Sequence, residues 1–255
     1  IDTIYAGDIK GNLWKFDVSN ASPSNWNVAQ GGLPLFISGT SKPIISPPAV
    51  TFHQKGGQLI LFGTGKYLET ADTTNTDTQT MYGIWDYNTS GTLPADSLVQ
   101  QITSMTTGSN HRTTTQNLVN YSATVKGWYM DLPISGERLT AIPEIQDGLF
   151  RFTTIVPSAS PCDFGGRGFL NIVNFSTGGM LTRPTFDTNG NRVLSLDDGY
   201  SSGIEIGFAM GGVTSIRNSS IGATSDFAVY SRADGTANNP PVSPGAQGKR
   251  GRITW

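Results

Sequence analysis

The sequence is poor in cysteine and histidine, with one cysteine and two histidines among 255 residues. A single thiol, Cys162, cannot form an internal disulfide, so the chain is not a small disulfide-stabilised scaffold and carries no CxxC metal or redox motif. Neither His53 nor His111 has a second ligand at the spacing of a zinc site. No local base stands beside Cys162, and no hydrolase pattern is present. The sequence therefore gives little support to thiol, zinc or hydrolase chemistry.

Charge is also scarce, since charged residues make up 14% of the chain and the formal net charge is −2. Nucleic-acid binding requires a basic surface that neutralises phosphates. Lys249, Arg250 and Arg252 form only a short cluster near the end of the sequence. We therefore expect no nucleic-acid partner.

Long apolar runs are missing, so we expect no membrane span in this chain, and we find no signal peptide. The sequence begins with Ile1 rather than Met, inside a predicted strand, and Trp255 closes another strand-like segment. We therefore expect both ends to be truncated, with residues 1–255 forming part of a longer protein.

Turn-forming residues are abundant, with 31 glycines and 14 prolines, and no convincing amphipathic helix is present. Short alternating or apolar runs predict strands. These strands cover residues 3–6, 12–18, 58–63, 80–85, 127–132, 149–156, 168–175, 204–208, 226–230 and 250–255. The composition predicts one all-β domain. About four strands per unit favour either propeller blades or a sandwich, and periodicity does not choose between them.

The aromatic and charged residues of these segments allow further predictions. Trp14 and Phe16 alternate with Lys15 and are expected to face the core, as are Tyr82, Ile84 and Trp85. Glu137 and Arg138 are expected to form a solvated pair at a strand end. Polar or Pro/Gly-rich stretches predict exposed loops at residues 20–34, 70–80 and 235–248.

The segment 187–198, DTNGNRVLSLDD, has the ligand order of an EF-hand-type calcium loop. Calcium takes six to eight oxygen ligands, which a short loop supplies from alternate residues. The predicted ligands are side chains at positions 1, 3, 5, 9 and 12 and a backbone carbonyl at position 7. They are Asp187, Asn189, Asn191, Val193 (the carbonyl), Ser195 and Asp198.

Several residues depart from the usual pattern of such a loop. Position 6, normally glycine, is Arg192, while Gly190 stands at position 4 and Asn191 replaces a frequent aspartate. Two carboxylates, from Asp187 and Asp198, imply weak binding, and Asp197 is an alternative closing ligand. A turn without an ion is the competing interpretation, because Asn-Gly is itself a strong turn signal.

Segments spread over nearly the whole chain, in order, resemble the C-terminal β-propeller of the PilY1/PilC family of type IV pilus tip and biogenesis proteins. They are IYAGDIKGNLWKFD (4–17), KPIISPP (42–48), LFGTGKY (61–67), MYGIWD (81–86), GWYMDLPISGER (127–138), TTIVPSASPC (153–162), GGRGFL (165–170) and GRITW (251–255). The resemblance implies a β-propeller fragment containing several four-stranded antiparallel blades, with residues 1–255 belonging to one propeller domain.

The resemblance also implies a function and a calcium site. Members of this family carry a D-x-N-x-D calcium loop in the propeller, which Asp187, Asn189 and Val193 match, while Asn191 and Ser195 depart from it. The implied protein is non-enzymatic, exported and pilus-associated at the bacterial cell surface. It supports pilus extension against retraction and surface attachment, with calcium as a switch and with pilus subunits or minor pilins, and host or abiotic surfaces, as partners.

The sequence leaves two other functions open. Quinone-cofactor dehydrogenases are also propellers with glycine-rich turns, tryptophan-containing strands and bound calcium, although the sequence shows no adjacent cysteine pair or repeated docking motif. The third possibility is a carbohydrate- or protein-binding propeller that recognises its ligand through exposed loops without calcium.

Overall fold

The structure is a computed structural model that describes residues 2–158, 166–207, 214–216, 226–231, 237–238 and 240–243. Strands dominate this part of the chain, and its helices are 3-10 segments of three or four residues. They are Pro23–Asn25, Gln30–Gly32, Thr70–Thr73, Ala95–Ser97 and Leu196–Asp198. No described helix has the length and apolarity to cross a membrane.

The first sheet contains four strands: β1 (Thr3–Gly7), β2 (Asn12–Asp17), β3 (Asn27–Val28) and β4 (Phe36–Ile37). β1 and β2 pair antiparallel as a hairpin. Asp8 Oδ1 accepts hydrogen bonds from the backbone N–H groups of Lys10 and Asn12, and Asp8 Oδ2 accepts one from Trp14 Nε1 at 2.9 Å. Gly11 has φ +80°, and a Cβ there would lie 2.2 Å from the Gly39 carbonyl oxygen, so the turn requires glycine.

The largest sheet contains eleven strands in the described residues. They are β5 (Ala49–Phe52), β6 (Gln58–Gly63), β7 (Thr80–Asp86), β8 (Leu98–Met105), β9 (His111–Thr114), β10 (Gly127–Asp131), β11 (Arg138–Leu139), β12 (Glu144–Gln146), β13 (Leu149–Val156), β14 (Arg167–Asn174) and β15 (Gly203–Glu205).

Two antiparallel units can be distinguished within this sheet. One has the order β5-β6-β7-β10, and the other has the order β13-β14-β15 with β11 and β12 both paired to the outer edge of β13. The hairpin of β8 and β9 joins them, because β8 pairs parallel to β10 and β9 pairs antiparallel to β15. The two units therefore share one continuous hydrogen-bonded ladder.

A third sheet follows in the chain and is built around β17 (Asp226–Ser231). Its other strands are β16 (Thr214–Ile216), β18 (Ala237–Asn238) and β19 (Pro241–Val242), and all three pair antiparallel with β17.

Three apolar clusters lie among the described residues, and each packs neighbouring sheets or the two antiparallel units against one another. One joins Leu13 and Phe36 of the first sheet to residues of β6 and β7, including Phe62. A second joins the two antiparallel units through side chains such as Trp128 and Phe152. The third packs β13 and β14 against the third sheet. The core thus lies between successive four-stranded or smaller units, which is the packing that successive propeller blades require.

Most predicted strands are present, with ends that differ by a few residues. The strand predicted at residues 204–208 is β15, which covers Gly203–Glu205, and the strand predicted at 250–255 lies outside the described residues. The loops predicted at 20–34 and 70–80 contain 3-10 helices, and the second holds the buried residues Asp72 and Gln79. Part of the loop predicted at 235–248 pairs as β18 and β19.

The prediction for β2 was wrong in its orientation. Leu13 is fully buried, whereas Trp14 and Phe16 are half-buried. Lys15 lies on the Leu13 side, where its ammonium group is 2.7 Å from the carboxylate of Asp86, a buried residue of β7. The charged residue therefore points toward the neighbouring sheet because an acidic partner is present there. Tyr82, Ile84 and Trp85 are buried as predicted.

Candidate functional site

The predicted calcium loop, residues 187–198, lies between β14 and β15 and has buried residues at both ends. Phe186 is 1% exposed and belongs to the cluster beneath the third sheet. At the other end, Ser201 and Ser202 are buried and lead into β15. Between these ends the side chains of Val193 and Leu196 are 58% and 78% exposed. The loop is thus an exposed excursion anchored in the core at both sides.

The first half of the loop is organised by side chains that accept hydrogen bonds from backbone N–H groups further along the loop. Asp187 Oδ1 accepts from Gly190 and Oδ2 accepts from Arg192, each at 2.7 Å. Asn189 Oδ1 accepts from the N–H of Asn191 at 3.0 Å. Asn191 Oδ1 accepts in the same way from Val193 at 2.7 Å. The side chains at positions 1, 3 and 5 are therefore all turned back onto the loop.

The backbone reverses through two left-handed residues, Gly190 with φ +75° and Arg192 with φ +64°. Arg192 thus adopts the left-handed conformation at the position where an EF-hand-type loop has glycine. A side chain in this region costs about 1–2 kcal/mol relative to ordinary backbone conformations. The sharp turn forms here without the usual glycine and carries that cost.

The second half of the loop is closed by Asp198, which is 5% exposed. Ser195 and Asp198 form a capping box around the 3-10 helix Leu196–Asp198, with the Ser195 N–H donating to Asp198 Oδ2 at 2.8 Å. Asp198 Oδ1 accepts from the backbone N–H groups of Thr188 at 3.0 Å and Asn189 at 3.4 Å. Asp198 therefore ties the start of the loop to its end, whereas Asp197 is exposed.

The donor set is chemically of the type that calcium takes. A carboxylate has roughly four lone-pair sites, so Asp187, which accepts two hydrogen bonds, keeps about two, and Asp198, which accepts three, keeps about one. The amide oxygens of Asn189 and Asn191 each accept one hydrogen bond and retain a second lone pair. No group of three or more His, Cys, Asp or Glu residues is gathered in the described part of the chain. The residues fit a weak, oxygen-only site.

This geometry agrees with both interpretations of residues 187–198, the calcium loop and the turn without an ion. The side-chain-to-backbone hydrogen bonds are the Asx turns expected from an Asn-Gly turn, and they also present oxygens in the order of a calcium loop. Of the six predicted ligands, the structure orders Asp187, Asn189 and Asn191 by Asx contacts and assigns Ser195 and Asp198 to a cap. Val193 contributes its backbone N–H to this network.

A second polar centre, which the sequence did not reveal, surrounds Glu137 and Arg138. The predicted solvated pair was wrong, because these residues are 0% and 2% exposed. Arg112 Nη1 lies 2.8 Å from Glu137 Oε1, and the Arg112 guanidinium stacks 3.7 Å from the Phe169 ring centroid. Thr154 Oγ1 also donates to Glu137. This centre joins β9, β13 and β14 to the segment before β11.

Arg138 uses its guanidinium to hold a loop that is distant in the sequence. Its Nη1 donates to the carbonyl oxygens of Lys66 and Asp72, each at 2.9 Å, and its Nη2 donates to that of Asn75 at 2.7 Å. Its Nε donates to the Gly136 carbonyl at 2.8 Å. The contacts with Lys66, Asp72 and Asn75 span more than sixty residues of sequence, and no local pattern signals them. Arg138 therefore fixes the backbone of residues 66–75 to the start of β11, and we call this role a staple.

Comparisons with known proteins identify the family that this chain resembles. The model of the PilY1 beta-propeller domain matches residues 1–122. A "Type IV pilus biogenesis factor PilY1 homolog" of Xylella fastidiosa (strain Temecula1) is 32% identical over 75% of this chain and 14% of its own length. A "Type IV pilus biogenesis factor PilY1" of Pseudomonas aeruginosa (strain PAO1) is 31% identical over 78% of this chain and 21% of its own length.

The crystal structure of the Pseudomonas aeruginosa PilY1 C-terminal domain superposes with a TM-score of 0.75 at 27% identity, covering 94% of this chain and 57% of that one. The predicted all-β propeller fold, as a fragment with several four-stranded antiparallel blades, is confirmed by this likeness together with the family model. The chain spans only 14% to 21% of the length of these two curated relatives.

Proposed function

Since the chain belongs to the PilY1 β-propeller family, we propose that it serves type IV pilus biogenesis as a non-enzymatic, pilus-associated module. The observation that carries the proposal is the agreement of two comparisons, one with a family model over residues 1–122 and one with a structure over 94% of the chain. The relatives are named as type IV pilus biogenesis factors.

The proposal extends to location and partners. The module is exported and acts at the bacterial cell surface, where it contacts pilus subunits or minor pilins and supports extension of the pilus against retraction. Attachment to a host or abiotic surface is part of the same role. Residues 1–255 serve in it as part of one propeller domain.

The proposal includes calcium as a regulator that binds at residues 187–198. The ion would be held by oxygens of Asp187, Asn189, Asn191, Ser195 and Asp198 and by the Val193 carbonyl. Bound calcium supplies positive charge that neutralises the loop carboxylates. A ligand that binds only the ordered loop stabilises that conformation by mass action and can thereby bias an adjoining binding surface.

Calorimetric titration of calcium into the chain tests the ion site. We expect a dissociation constant of about 10⁻⁴ to 10⁻³ M, as in extracellular calcium modules. Asp187→Ala should weaken binding by at least about tenfold, or 1.4 kcal/mol, because it removes one of the carboxylates. The matched control is Asp197→Ala, which removes an exposed aspartate of the same loop. If the wild-type chain stays folded and binds no calcium at millimolar concentrations, the proposed calcium site is wrong.

The structural role of Asp198 can be separated from its role as a calcium ligand by measuring the free energy of unfolding in calcium-free buffer. Asp198→Ala removes the acceptor of three backbone N–H groups and should therefore lower the free energy of unfolding in the absence of calcium by about 1–2 kcal/mol. Asp187→Ala should cost less without calcium, since its partners Gly190 and Arg192 lie at the exposed tip. If Asp198→Ala and Asp187→Ala lowered the free energy of unfolding equally in calcium-free buffer, Asp198 would have no special structural role.

The biological role is tested by introducing Asp187→Ala in the bacterium that produces the protein. We expect fewer surface pili than in the wild type at millimolar calcium and no difference between the two in chelator. The Asp197→Ala strain serves as the control for protein level. Identical pilus numbers in all strains and conditions would reject calcium regulation, while loss of pili only upon complete deletion would retain the biogenesis role.

The proposal that the chain is not an enzyme is tested separately. The protein is incubated with pyrroloquinoline quinone, calcium and a redox dye in the presence of alcohols or sugars. We expect no dye reduction above a protein-free control. Substrate-dependent reduction would support the quinone-dehydrogenase alternative instead.

A further inference from the structure

A groove of about 590 Å³ lies at one end of the β5-β6-β7-β10 unit. Antiparallel order brings three connections to this end: residues 53–57 between β5 and β6, residues 87–94 after β7, and residues 121–126 before β10. Its volume falls within the range of small-molecule sites. None of residues 187–198 lines it. The groove is therefore a separate feature of the fold.

The groove has a rigid aromatic wall. Tyr87 stacks on Trp85 with ring centroids 5.3 Å apart and planes inclined by 15°, and Tyr121 meets Trp85 edge-on at 5.5 Å. Trp85 Nε1 donates to the Gly56 carbonyl at 2.7 Å, and the Tyr121 hydroxyl donates to the Ser176 carbonyl at 2.6 Å. Trp85 is 4% exposed and Tyr87 is 40% exposed. The cluster thus presents Tyr87 to solvent as a supported ring.

Two lysines place positive charge in the same groove. Lys55 Nζ donates to the Tyr121 carbonyl at 2.6 Å. Lys126 Nζ donates to the Tyr87 carbonyl at 3.3 Å and lies 4.9 Å from the Trp85 ring centroid. Each ammonium group has three donors, so these contacts leave donors available. No aspartate or glutamate is among the described residues that line the groove. Its charge therefore favours an anionic ligand.

Hydroxyl and amide side chains complete the lining. They are contributed by Asn88, Thr89, Ser90, Thr92 and Ser122. Among the described residues, no partner satisfies the buried Thr89 Oγ1. Asn88 has φ +50°, which is uncommon for a residue other than glycine. These groups can exchange hydrogen bonds with ligand hydroxyls.

We propose that this groove binds a carboxylated saccharide. The apolar face of a pyranose ring packs on Tyr87, and the sugar carboxylate pairs with the ammonium groups of Lys126 and Lys55. The remaining sugar hydroxyls bond to the Ser, Thr and Asn side chains. An apolar surface with a few convergent polar groups is typical of small-ligand sites, and the lysines select for acid over neutral sugars.

The proposal concerns what this chain binds and does not depend on its role in pilus biogenesis. A chain without calcium binding or pilus function can still bind the saccharide, and the converse also holds. The two proposals therefore fail separately.

Titration of the full chain with trigalacturonic acid tests the groove, with its methyl ester as an uncharged probe that has the same sugar rings. We expect calorimetric binding in the millimolar range or tighter, near −4 kcal/mol. The ester should bind about threefold or more weakly, because it lacks the carboxylates that pair with lysine. An acidic tripeptide is titrated in parallel and should not bind.

Substitutions locate the binding. Tyr87→Ala should weaken trigalacturonate binding by about tenfold, since it removes the exposed ring. Tyr200→Ala is the matched control, because Tyr200 is 50% exposed and does not line the groove. Lys126→Gln should weaken binding of the acid about threefold and reduce the difference between acid and ester, because only Lys55 then remains to pair with the carboxylate. Lys10→Gln should leave the binding of both probes unchanged.

Several results would overturn the proposal. They are absence of trigalacturonate binding at about 10 mM by folded wild type, unchanged binding in both Tyr87→Ala and Lys126→Gln, or equal binding of acid and ester. Equal or tighter binding of the acidic tripeptide would indicate a peptide site instead. If Tyr87→Ala fails to fold, Lys126→Gln and chemical-shift changes at the Trp85 indole N–H decide the location.

Discussion

Two loops of this propeller are each closed by a capping box, but only one of the two closing aspartates has a cationic partner. In the loop of residues 66–79, Glu69 and Asp72 form a capping box around the helix Thr70–Thr73. In the loop of residues 187–198, Ser195 and Asp198 form a capping box around a helix of three residues. Both closing aspartates are buried and both accept backbone N–H groups.

The surroundings of the two closing carboxylates differ. Lys66 Nζ lies 2.8 Å from Asp72 Oδ1, and the Arg138 guanidinium holds the backbone of the same loop. In the described part of the chain, no ion pair reaches the aspartates of residues 187–198. The closing carboxylate of the first loop therefore has a cationic partner, while that of the second loop has none among the described residues. This contrast supports a cation partner for the second loop only.

The largest effect is expected from Arg138→Met, which removes the staple of the first loop. Four carbonyl oxygens lose their donor, so we expect the free energy of unfolding to fall by roughly 3–5 kcal/mol in urea titrations. The matched control is Arg167→Met. Arg167 forms an exposed pair with Glu205, and its loss should cost at most about 1 kcal/mol. Similar losses for both variants would show that Arg138 is not a staple.

A smaller effect is expected at the tip of the second loop. Arg192→Gly should stabilise the chain by about 0.5–1 kcal/mol, because glycine adopts positive φ without the cost that arginine carries. It also removes a positive charge, so calcium binding should tighten. Gly190→Ala should destabilise by about 1 kcal/mol although no atom lies within 4 Å of the added Cβ. Thermal unfolding with and without calcium measures both, and a stabilising Gly190→Ala would contradict the assigned turn.

The smallest effect concerns the dependence of stability on pH. Burial alone would raise the pKa of Asp72, but hydrogen bonds from Lys66 and from the backbone of Leu68 and Glu69 outweigh it, so the pKa lies below its usual value of 3.8. The resulting stabilisation is present above pH 3.8 and is lost as pH falls through the folded-state pKa.

Asp72→Asn removes the titrating group and should therefore flatten the loss of stability below pH 3.8. Acid titrations of the unfolding free energy measure the slope, with the exposed Asp96→Asn as a control. An unchanged slope in Asp72→Asn would show that the pKa of Asp72 does not differ between the folded and unfolded states.

Much of the fold could be predicted because strand alternation and turn residues are local signals. The hairpin of β1 and β2 follows from Asp8 and Gly11, and long strands such as β13 were predicted with their observed ends. The orientation of β2 could not be predicted, because it depends on Asp86, which lies seventy-one residues further along the chain than Lys15. A lysine usually marks a solvent face, and here a distant carboxylate reverses that rule.

In the candidate sites, too, local features could be predicted and long-range contacts could not. The positions of Asp187, Asn189 and Asn191 could be read from sequence, because Asx turns are local hydrogen bonds. The stapling role of Arg138 could not, since its acceptors Lys66 and Asn75 come from another part of the chain. The aromatic groove was also missed, because it forms only when three strand connections meet at one end of a sheet.

The parallel pairing of β8 with β10 also has a mechanical consequence. Five residue pairs, from Gly127 with Leu98 to Asp131 with Ile102, join the β8–β9 hairpin to the first antiparallel unit. A pull along the strand axis would load these backbone bonds side by side in shear, so they would have to break together rather than one after another. Forced unfolding depends on the rate of that event. The continuous ladder thus gives the two antiparallel units a connection that resists sliding.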